Sequence, residues 1–135
     1  MADVPAAVTD TSALLFFAAS SARLGTRAAA HFAQSEAQQA LTYVPVVVMW
    51  EVSLLARAGR LNLRRPTHAF FDDLFSNPAF QPVSLTADHV AAADALRFTR
   101  DPLDALICAI ARHVDAPLMT SDTTIREAGV VRILW

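Results

Sequence analysis

Four short segments, far apart in the chain, each combine an apolar run with a carboxylate near its end. They are VTDTS at residues 8–12, MWE at 49–51, RDPLD at 100–104 and MTSD at 119–122. In an α/β sheet, the carboxyl ends of parallel strands and the helices that follow them meet at one edge, so distant carboxylates can come together. Magnesium and manganese prefer oxygen ligands of this kind. The pattern therefore predicts an acidic metal pocket.

Short apolar segments alternate with helical patterns along the chain. The apolar runs predict strands at residues 6–9, 41–44, 80–85, 117–120 and 130–134. The segments between them predict helices at residues 13–21, 26–34, 46–60, 66–75, 86–96 and 103–114, with a helical turn at 123–127. The valine run at 46–48 leaves the start of the third helix open, and about Pro45 is one candidate. This alternation is typical of a three-layer α/β/α fold with a central, mostly parallel sheet of four to five strands.

Composition predicts one domain, residues 1–135, because this is a usual domain length. The hydrophobic fraction of 54% exceeds the ~45–50% usual for soluble domains, so a core can form without disulfides. Cys108 is the only cysteine, which excludes an internal disulfide or a thiolate zinc cluster and favours a reducing cytoplasm. The amino terminus lacks a signal-peptide pattern, and the apolar run at 13–19 is too short for a membrane span, so we expect a soluble protein.

The eleven basic residues are all arginine, and the absence of lysine excludes several rival folds. A Walker A phosphate loop, a haloacid-dehalogenase-type phosphatase and a phospho-receiver domain each normally need a lysine that acts on phosphate. The formal net charge of −2 argues against a protein that coats nucleic acid through bulk electrostatics. A local basic rim stays open, because Arg57, Arg60, Arg64 and Arg65 lie within nine residues; the alternative is a solvated helix end.

Glu51 differs from the other acidic residues because the pattern places it inside a helix. Its predicted face is shared with the apolar residues Val47, Val48, Leu54 and Leu55. A carboxylate on an apolar helix face needs a partner. Each aspartate, in contrast, could equally serve as a helix cap or a turn residue.

With these positions established, the chain resembles the PIN-domain nucleases, and among them the VapC-like toxins of bacterial toxin–antitoxin pairs. The opening strand with Asp-Thr at residues 10–11 resembles the family's first motif, and residues 50–52 with 59–61 resemble the Trp-Glu helix of one subgroup. Residues 100–111 are similar to that subgroup's Arg-Asp-Pro-x-Asp signature, and residues 118–122 with 133–135 match its ending. Four such motifs in this order imply a PIN-like fold over nearly the whole chain.

The chain departs from this subgroup at three positions. Thr99 stands where the subgroup often has a histidine, and Ala105 where it often has an arginine. Both differences concern a specific substrate contact and leave the acidic residues in place. Ser12 replaces another common histidine, close to the predicted metal.

The resemblance implies Mg²⁺-dependent hydrolysis of RNA phosphodiester bonds, with Mn²⁺ as a substitute, leaving a 3′-hydroxyl and a 5′-phosphate. It implies that Asp10, Glu51 and Asp104 bind the metal directly or through water, and that Asp122 acts at a second site or in an outer layer. These four are the predicted catalytic residues. Without metal, such crowded carboxylates would repel and some would take up protons. Possible RNA contacts are Arg57, Arg60, Arg64, Arg65 and Arg100.

Four polar residues are expected to support the ligands: Thr11, Ser12, Asp101 and Thr120. Asp101 precedes a proline and equally suits a helix cap, and capping alone would explain the hydroxyl residues nearly as well. Thr11 or Ser12 is predicted to cap the first helix. The histidines lack ligand-like spacing, so surface or helix-end positions are expected for His31, His68, His89 and His113. Cys108, on a core helix, is expected to serve packing.

The aromatic residues Trp50, Phe70, Phe71 and Phe75 allow two interpretations. They could line an exposed groove for a partner helix, but core packing is favoured because aromatic helix faces usually point inward. The resemblance implies a homodimer and a small antitoxin whose tail wraps this helical pair and blocks the pocket. Two other functions stay open: a PIN nuclease in RNA or DNA processing without a toxin role, and a catalytically silent PIN scaffold that binds RNA or protein.

Overall fold

The computed structural model describes residues 4–135 and contains a central sheet of four parallel strands. The strands are β1 (Ala6–Thr9), β2 (Leu41–Pro45), β3 (Phe80–Val83) and β4 (Leu118–Met119), in the spatial order β3-β2-β1-β4. All three strand pairs are parallel. The predicted α/β fold with a parallel sheet is therefore confirmed, and β1 and β4 lie side by side, so the segments that follow them begin close together.

Seven helices flank the sheet within the described residues. They are α1 (Thr11–Ala18), α2 (Thr26–Glu36), α3 (Val46–Arg57), α4 (Thr67–Phe75), α5 (Ala87–Asp94), α6 (Pro102–Val114) and α7 (Thr123–Ala128). Each follows a predicted helical segment, with ends shifted by a few residues. The helix α1 stops at Ala18, three residues early, and Ser20 beyond it has a left-handed φ of 51°. Within residues 4–135, no helix has the length and apolar character needed to cross a membrane.

The fifth predicted strand, at residues 130–134, is reduced to a single parallel bridge between Leu118 and Ile133. Two backbone hydrogen bonds hold it: Leu118 N–H donates to the Arg132 carbonyl at 2.8 Å, and Leu134 N–H donates to the Leu118 carbonyl at 3.0 Å. Because β4 has only two residues, its neighbour has little strand to pair with. The sheet thus has four strands and a fifth segment that touches its edge.

The core lies between the sheet and the helices. Its largest fully buried side chains include Phe32, Leu14, Ile107, Ile110 and Met119. The predicted packing role of Cys108 is confirmed, since this residue is fully buried in the same cluster. Aromatic packing is confirmed for Phe70 and Phe71, which are buried. Trp50 and Leu54 instead are 50% and 40% exposed, so the face predicted to be apolar on α3 is only partly buried.

Two histidines are buried, which corrects the expectation of surface or helix-end positions for His31, in the middle of α2, whereas His89 does lie at a helix end, in the first turn of α5. His31 is buried and its Nε2 lies 2.9 Å from the Leu41 carbonyl oxygen, joining α2 to β2. His89 is also buried; its Nδ1 accepts from Thr86 N–H at 3.1 Å, and its Nε2 lies 2.7 Å from Nδ1 of His113. These bonds satisfy the rings inside the fold, which spacing along the sequence does not reveal. His68 and His113 are exposed, as expected.

Candidate active site

A pocket of about 380 Å³ lies where β1 and β4 end and where α1, α6 and α7 begin beside α3. The structure brings all four predicted catalytic residues to this pocket, together with three of the four predicted supporting residues. Its lining consists of Asp10, Thr11, Ser12, Leu15, Glu51, Leu55, Arg60, Asp101, Asp104, Ile107, Ser121 and Asp122. Five carboxylates from four separate segments therefore face one space.

Three of these carboxylates cap the helices that converge on the pocket. Asp10 Oδ1 accepts from Ala13 N–H at 2.8 Å, at the start of α1. Asp122 Oδ1 accepts from Ile125 N–H at 2.9 Å, at the start of α7. Asp101 does the same for α6, where it accepts from the Leu103 and Asp104 N–H groups. The prediction that Thr11 or Ser12 caps α1 is wrong, because Asp10 has an extended backbone and its own carboxylate takes that position.

Glu51 reaches the pocket in a different way, from the interior of α3. Its Oε1 accepts a short hydrogen bond from the hydroxyl of Thr11, the first residue of α1. Glu51 is half-buried and Thr11 is buried, so water competes weakly for this bond. The partner that an acidic residue on this helix face requires is therefore a hydroxyl, and the bond fixes one carboxylate oxygen of Glu51 against α1.

Thr120 lies between two of the acids without lining the pocket itself. It is fully buried just after β4, and its Oγ1 accepts from Asp122 N–H at 3.0 Å. Burial raises the pKa of Asp10 to about 6, an effect that the side-chain hydrogen bond from Thr120 opposes. One hydroxyl thus contacts the segments that carry Asp10 and Asp122.

Burial and like charge together set the protonation of the pocket. The pKa of Asp10 rises from 3.8 to about 6 because its carboxylate is buried, and the charges of Asp122 and Glu51 add to the rise. Burial raises the pKa of Asp104 to about 7, and the nearby charges of Asp101, Asp122, Asp10 and Glu51 act in the same direction. The pocket therefore disfavours its own negative charge, which a bound cation would offset.

Of the five arginines predicted to contact RNA, only Arg60 lines the acidic pocket. It forms no ion pair within residues 4–135. Arg64 and Arg65 line a neighbouring pocket that shares Leu15 with the acidic one. Arg65 pairs with an aspartate of α4 at 3.3 Å, while Arg57 lies over Trp50 and Arg100 is exposed.

The pocket has an apolar wall formed by Leu15, Leu55 and Ile107, of which the sequence had indicated only Leu55, as a residue on the helix face of Glu51. A signal for this wall was present in the helical spacing. Leu55 follows Glu51 by four residues and Ile107 follows Asp104 by three, so each shares a helix face with its acid. Such a wall lowers the local polarity and contributes to the raised pKa values of the carboxylates.

The polar lining fits a hard divalent cation, because its donors are carboxylate and hydroxyl oxygens. Each capping aspartate uses Oδ1 for its helix, and a carboxylate has a second oxygen for another ligand. Within residues 4–135, no three acidic, histidine or cysteine side chains are gathered tightly enough to hold one ion together. Shared binding of an ion therefore requires these side chains to draw closer.

Comparison with known proteins adds a family and a set of structural neighbours. The family model described as PIN domain matches residues 7–131. A toxin–antitoxin complex from Klebsiella pneumoniae is similar, with 21% identity, a TM-score of 0.63 and 96% of each chain covered. So is VapBC2 from Rickettsia felis bound to a promoter DNA fragment, with 12% identity, a TM-score of 0.67 and coverage of 95% of this chain and 96% of that one. FitAcB from Neisseria gonorrhoeae has 18% identity, a TM-score of 0.67 and 96% coverage of each chain. No curated protein sequence matches.

Proposed function

Because the chain belongs to the PIN-domain family, whose members are generally nucleases, we propose that it is a Mg²⁺-dependent endoribonuclease. The observation that carries this proposal is the pocket in which five carboxylates from four segments meet a single arginine. Mn²⁺ would substitute for Mg²⁺, since both prefer oxygen ligands. RNA phosphodiester bonds would be hydrolysed in this pocket.

In this proposal, Asp10, Glu51 and Asp104 hold the cation directly or through water, and Asp122 acts at a second site or in an outer layer. A bound cation would activate water and offset charge on the phosphoryl oxygens. The water oxygen bonds to phosphorus while the bond from phosphorus to the 3′-oxygen breaks, which leaves a 5′-phosphate and a 3′-hydroxyl. Thr11 orients Glu51 through its hydroxyl, and Thr120 orients the segments of Asp10 and Asp122.

Arg60 is the residue we assign to the substrate phosphate inside the pocket. An anionic substrate must enter a space lined by carboxylates, so a cation that forms no ion pair within residues 4–135 favours its entry. Arg64 and Arg65 line the adjoining pocket and would bind the next phosphates of the strand. Arg100 is exposed before Asp101 and would contact RNA at the pocket's outer edge.

The same proposal makes the protein the toxin of a VapBC-type pair, acting in the cytoplasm as a homodimer and held inactive by a small antitoxin. The similar structures from Klebsiella pneumoniae and Rickettsia felis are a toxin–antitoxin complex and a VapBC protein, which supports such a partner. A groove beside α1, lined in part by Phe17, Ala18 and Phe70, offers apolar contacts to a partner helix.

Cleavage of a mixed tRNA and rRNA pool by the purified, partner-free protein tests this function. We expect Mg²⁺-dependent cleavage that a chelator and the substitution Asp104→Asn both abolish, with 5′-phosphate ends on the products. Intact RNA throughout, with folded protein and added Mg²⁺, would contradict the nuclease proposal and favour a silent scaffold. Expression in growing cells separates a toxin from a processing enzyme, because only a toxin arrests growth unless its antitoxin is co-expressed.

A further inference from the structure

An exposed stripe on α3 runs beside the acidic pocket. Trp50 is 50% exposed and Leu54, one turn later, is 40% exposed. Arg57 follows after another turn, and its guanidinium carbon lies 5.1 Å from the centroid of the Trp50 ring. Positions i, i+4 and i+7 lie on one face of a helix, so these three side chains form a continuous strip.

The strip is next to the wall of the pocket because each pocket residue of α3 follows a strip residue directly. Glu51 and Leu55 line the pocket, and they follow Trp50 and Leu54 in the chain. Successive residues of an α-helix are separated by about 100° around its axis, so the two rows run side by side. A strand whose phosphate is cut next to Glu51 would pass over Trp50.

The chemistry of this strip fits an unpaired nucleotide better than a protein. Trp50 and Leu54 are the two exposed large hydrophobic residues on α3, far fewer than a stable protein interface of roughly 800 Å² per partner requires. Arginine accompanies the apolar side chains both on the strip, at Arg57, and at the pocket, at Arg60. An aromatic face beside guanidinium groups is the combination that stacks a base and binds its phosphate.

We propose that Trp50 and Arg57 bind one unpaired nucleotide of the RNA substrate, directly beside the bond that is cut. The base stacks on the exposed part of the Trp50 ring, and the adjoining phosphate lies between Arg57 and Arg60. This inference rests on the proposed ribonuclease function and assigns a preference for single-stranded RNA to one side of the site. Stacking tolerates any base, so the strip selects unpaired RNA and not a sequence.

Binding of a fluorescein-labelled 12-nucleotide single-stranded RNA of mixed sequence, followed by anisotropy, tests the proposal. The full chain carries Asp104→Asn and the buffer contains a chelator, so the RNA stays intact. Trp50→Ala should weaken binding roughly tenfold, and Trp50→Phe, which keeps a stacking ring, by less than about threefold. Arg57→Ala should reduce the salt dependence of binding by about one phosphate contact. Val90→Ala, which removes a 50% exposed apolar side chain from α5, should change nothing.

Tryptophan fluorescence gives a second readout that does not depend on the alanine variant folding. Unlabelled RNA should quench the emission of the parent chain, and the quench should disappear in Trp50→Phe, where Trp135 is the only tryptophan left. Three results would each overturn the proposal. Trp50→Ala could bind the single-stranded RNA as tightly as the parent, it could lose as much affinity for a perfectly paired RNA duplex as for the single strand, or RNA could quench Trp50→Phe as strongly as the parent. If Trp50→Ala forms a smaller oligomer than the parent and binds RNA with normal affinity, the strip contacts protein instead.

The two proposals can fail separately. If the parent cleaves RNA with Mg²⁺ and Asp104→Asn does not, while Trp50→Ala binds RNA normally, the nuclease function stands and the stacking strip is wrong. If the parent fails to cleave any RNA while Trp50→Ala loses affinity, the strip stands as an RNA-binding site and the nuclease function fails.

Discussion

The acidic pocket and the contact between α2 and β2 both remove polar groups from water, but they satisfy these groups in opposite ways. At α2, the Ser35 and Thr42 hydroxyls lie 2.8 Å apart, and both residues are fully buried. Asn77 adds side-chain bonds to the Ser35 and Glu36 carbonyls. In the pocket, carboxylates face other carboxylates, and the pKa values of Asp10 and Asp104 rise to about 6 and about 7.

This difference separates polar groups that stabilise the fold by bonding to each other from polar groups that remain available to a ligand. A buried pair of hydroxyls is complete by itself, and removing one partner leaves an unsatisfied group. A group of carboxylates without a compensating cation lowers the stability of the fold, which is an arrangement typical of functional sites. Substitutions in the two regions should therefore have opposite effects on activity and on stability.

The largest expected effect is on activity, at Asp104. Asp104→Asn should lower the rate of Mg²⁺-dependent RNA cleavage by about a hundredfold or more, because it removes a charged ligand. The free energy of unfolding at pH 8 should stay equal or increase, because the substitution removes one of several like charges. Initial cleavage rates and urea unfolding curves measure both. A variant with normal cleavage would remove Asp104 from the proposed metal ligands.

The next effect is the stabilisation of the pocket by its ligand. At pH 8 and Mg²⁺ at about 100 times its Kd, the free energy of unfolding should rise by about 2.7 kcal/mol, since the ion binds the folded state. Thermal unfolding with increasing MgCl₂ measures this, with NaCl at matched ionic strength as the control. Most of the gain should disappear in Asp104→Asn. An equal gain in both proteins would show that Mg²⁺ binds elsewhere.

At the α2–β2 contact, the expected effect is on stability alone. Ser35→Ala should lower the free energy of unfolding by about 2 kcal/mol, because it leaves the buried Thr42 hydroxyl without its partner. Cleavage per folded molecule should be unchanged. The double variant Ser35→Ala/Thr42→Val should recover part of the loss, because both polar groups are then gone. Loss of activity without loss of stability would contradict the division between the two regions.

The last expected effect is the pH dependence of the protein without divalent ions. Asp10 and Asp104 have folded pKa values of about 6 and about 7, above the ordinary aspartate value of 3.8, so the folded state binds protons more tightly than the unfolded state. Their contribution to stability is fully present below about pH 4 and is lost as the pH rises through 6 and 7. Urea unfolding between pH 4.5 and 8 should show this decline, and Asp104→Asn should flatten its upper part. A rise in stability over that window, equal in both proteins, would contradict the crowding of the carboxylates.

The convergence of the acids could be predicted because it follows from topology. Asp10 and Asp122 come after strands that end at one edge of a parallel sheet, and this holds whatever the details of packing. Glu51 could be identified because an acid on an apolar helix face has few explanations other than a partner across the fold. Its actual partner, Thr11, lies forty residues away and was expected only to cap a helix or support a ligand.

Other features depend on tertiary contacts that a sequence does not encode locally. His89 is buried because its ring completes the cap of α5 and contacts His113 on α6. Its burial can be predicted only when the pairing of these two helices is known. Trp50 fits the apolar periodicity of α3 and is nevertheless half exposed. Periodicity identifies the apolar face of a helix, but it does not show whether another element packs against that face. The fifth predicted strand is reduced to a single bridge because its neighbour β4 ends after two residues.

The caps at Asp10, Asp101 and Asp122 restrict which amino acids these positions can accept. Asparagine preserves the start of the helix but loses the charge, whereas glutamate keeps the charge but is too long to be a favoured cap. Only aspartate meets both demands. Glu51 is inside a helix and caps nothing, so its longer side chain is free to span the distance from α3 to Thr11. The mixture of three aspartates and one glutamate at these places thus follows from where each segment turns into a helix.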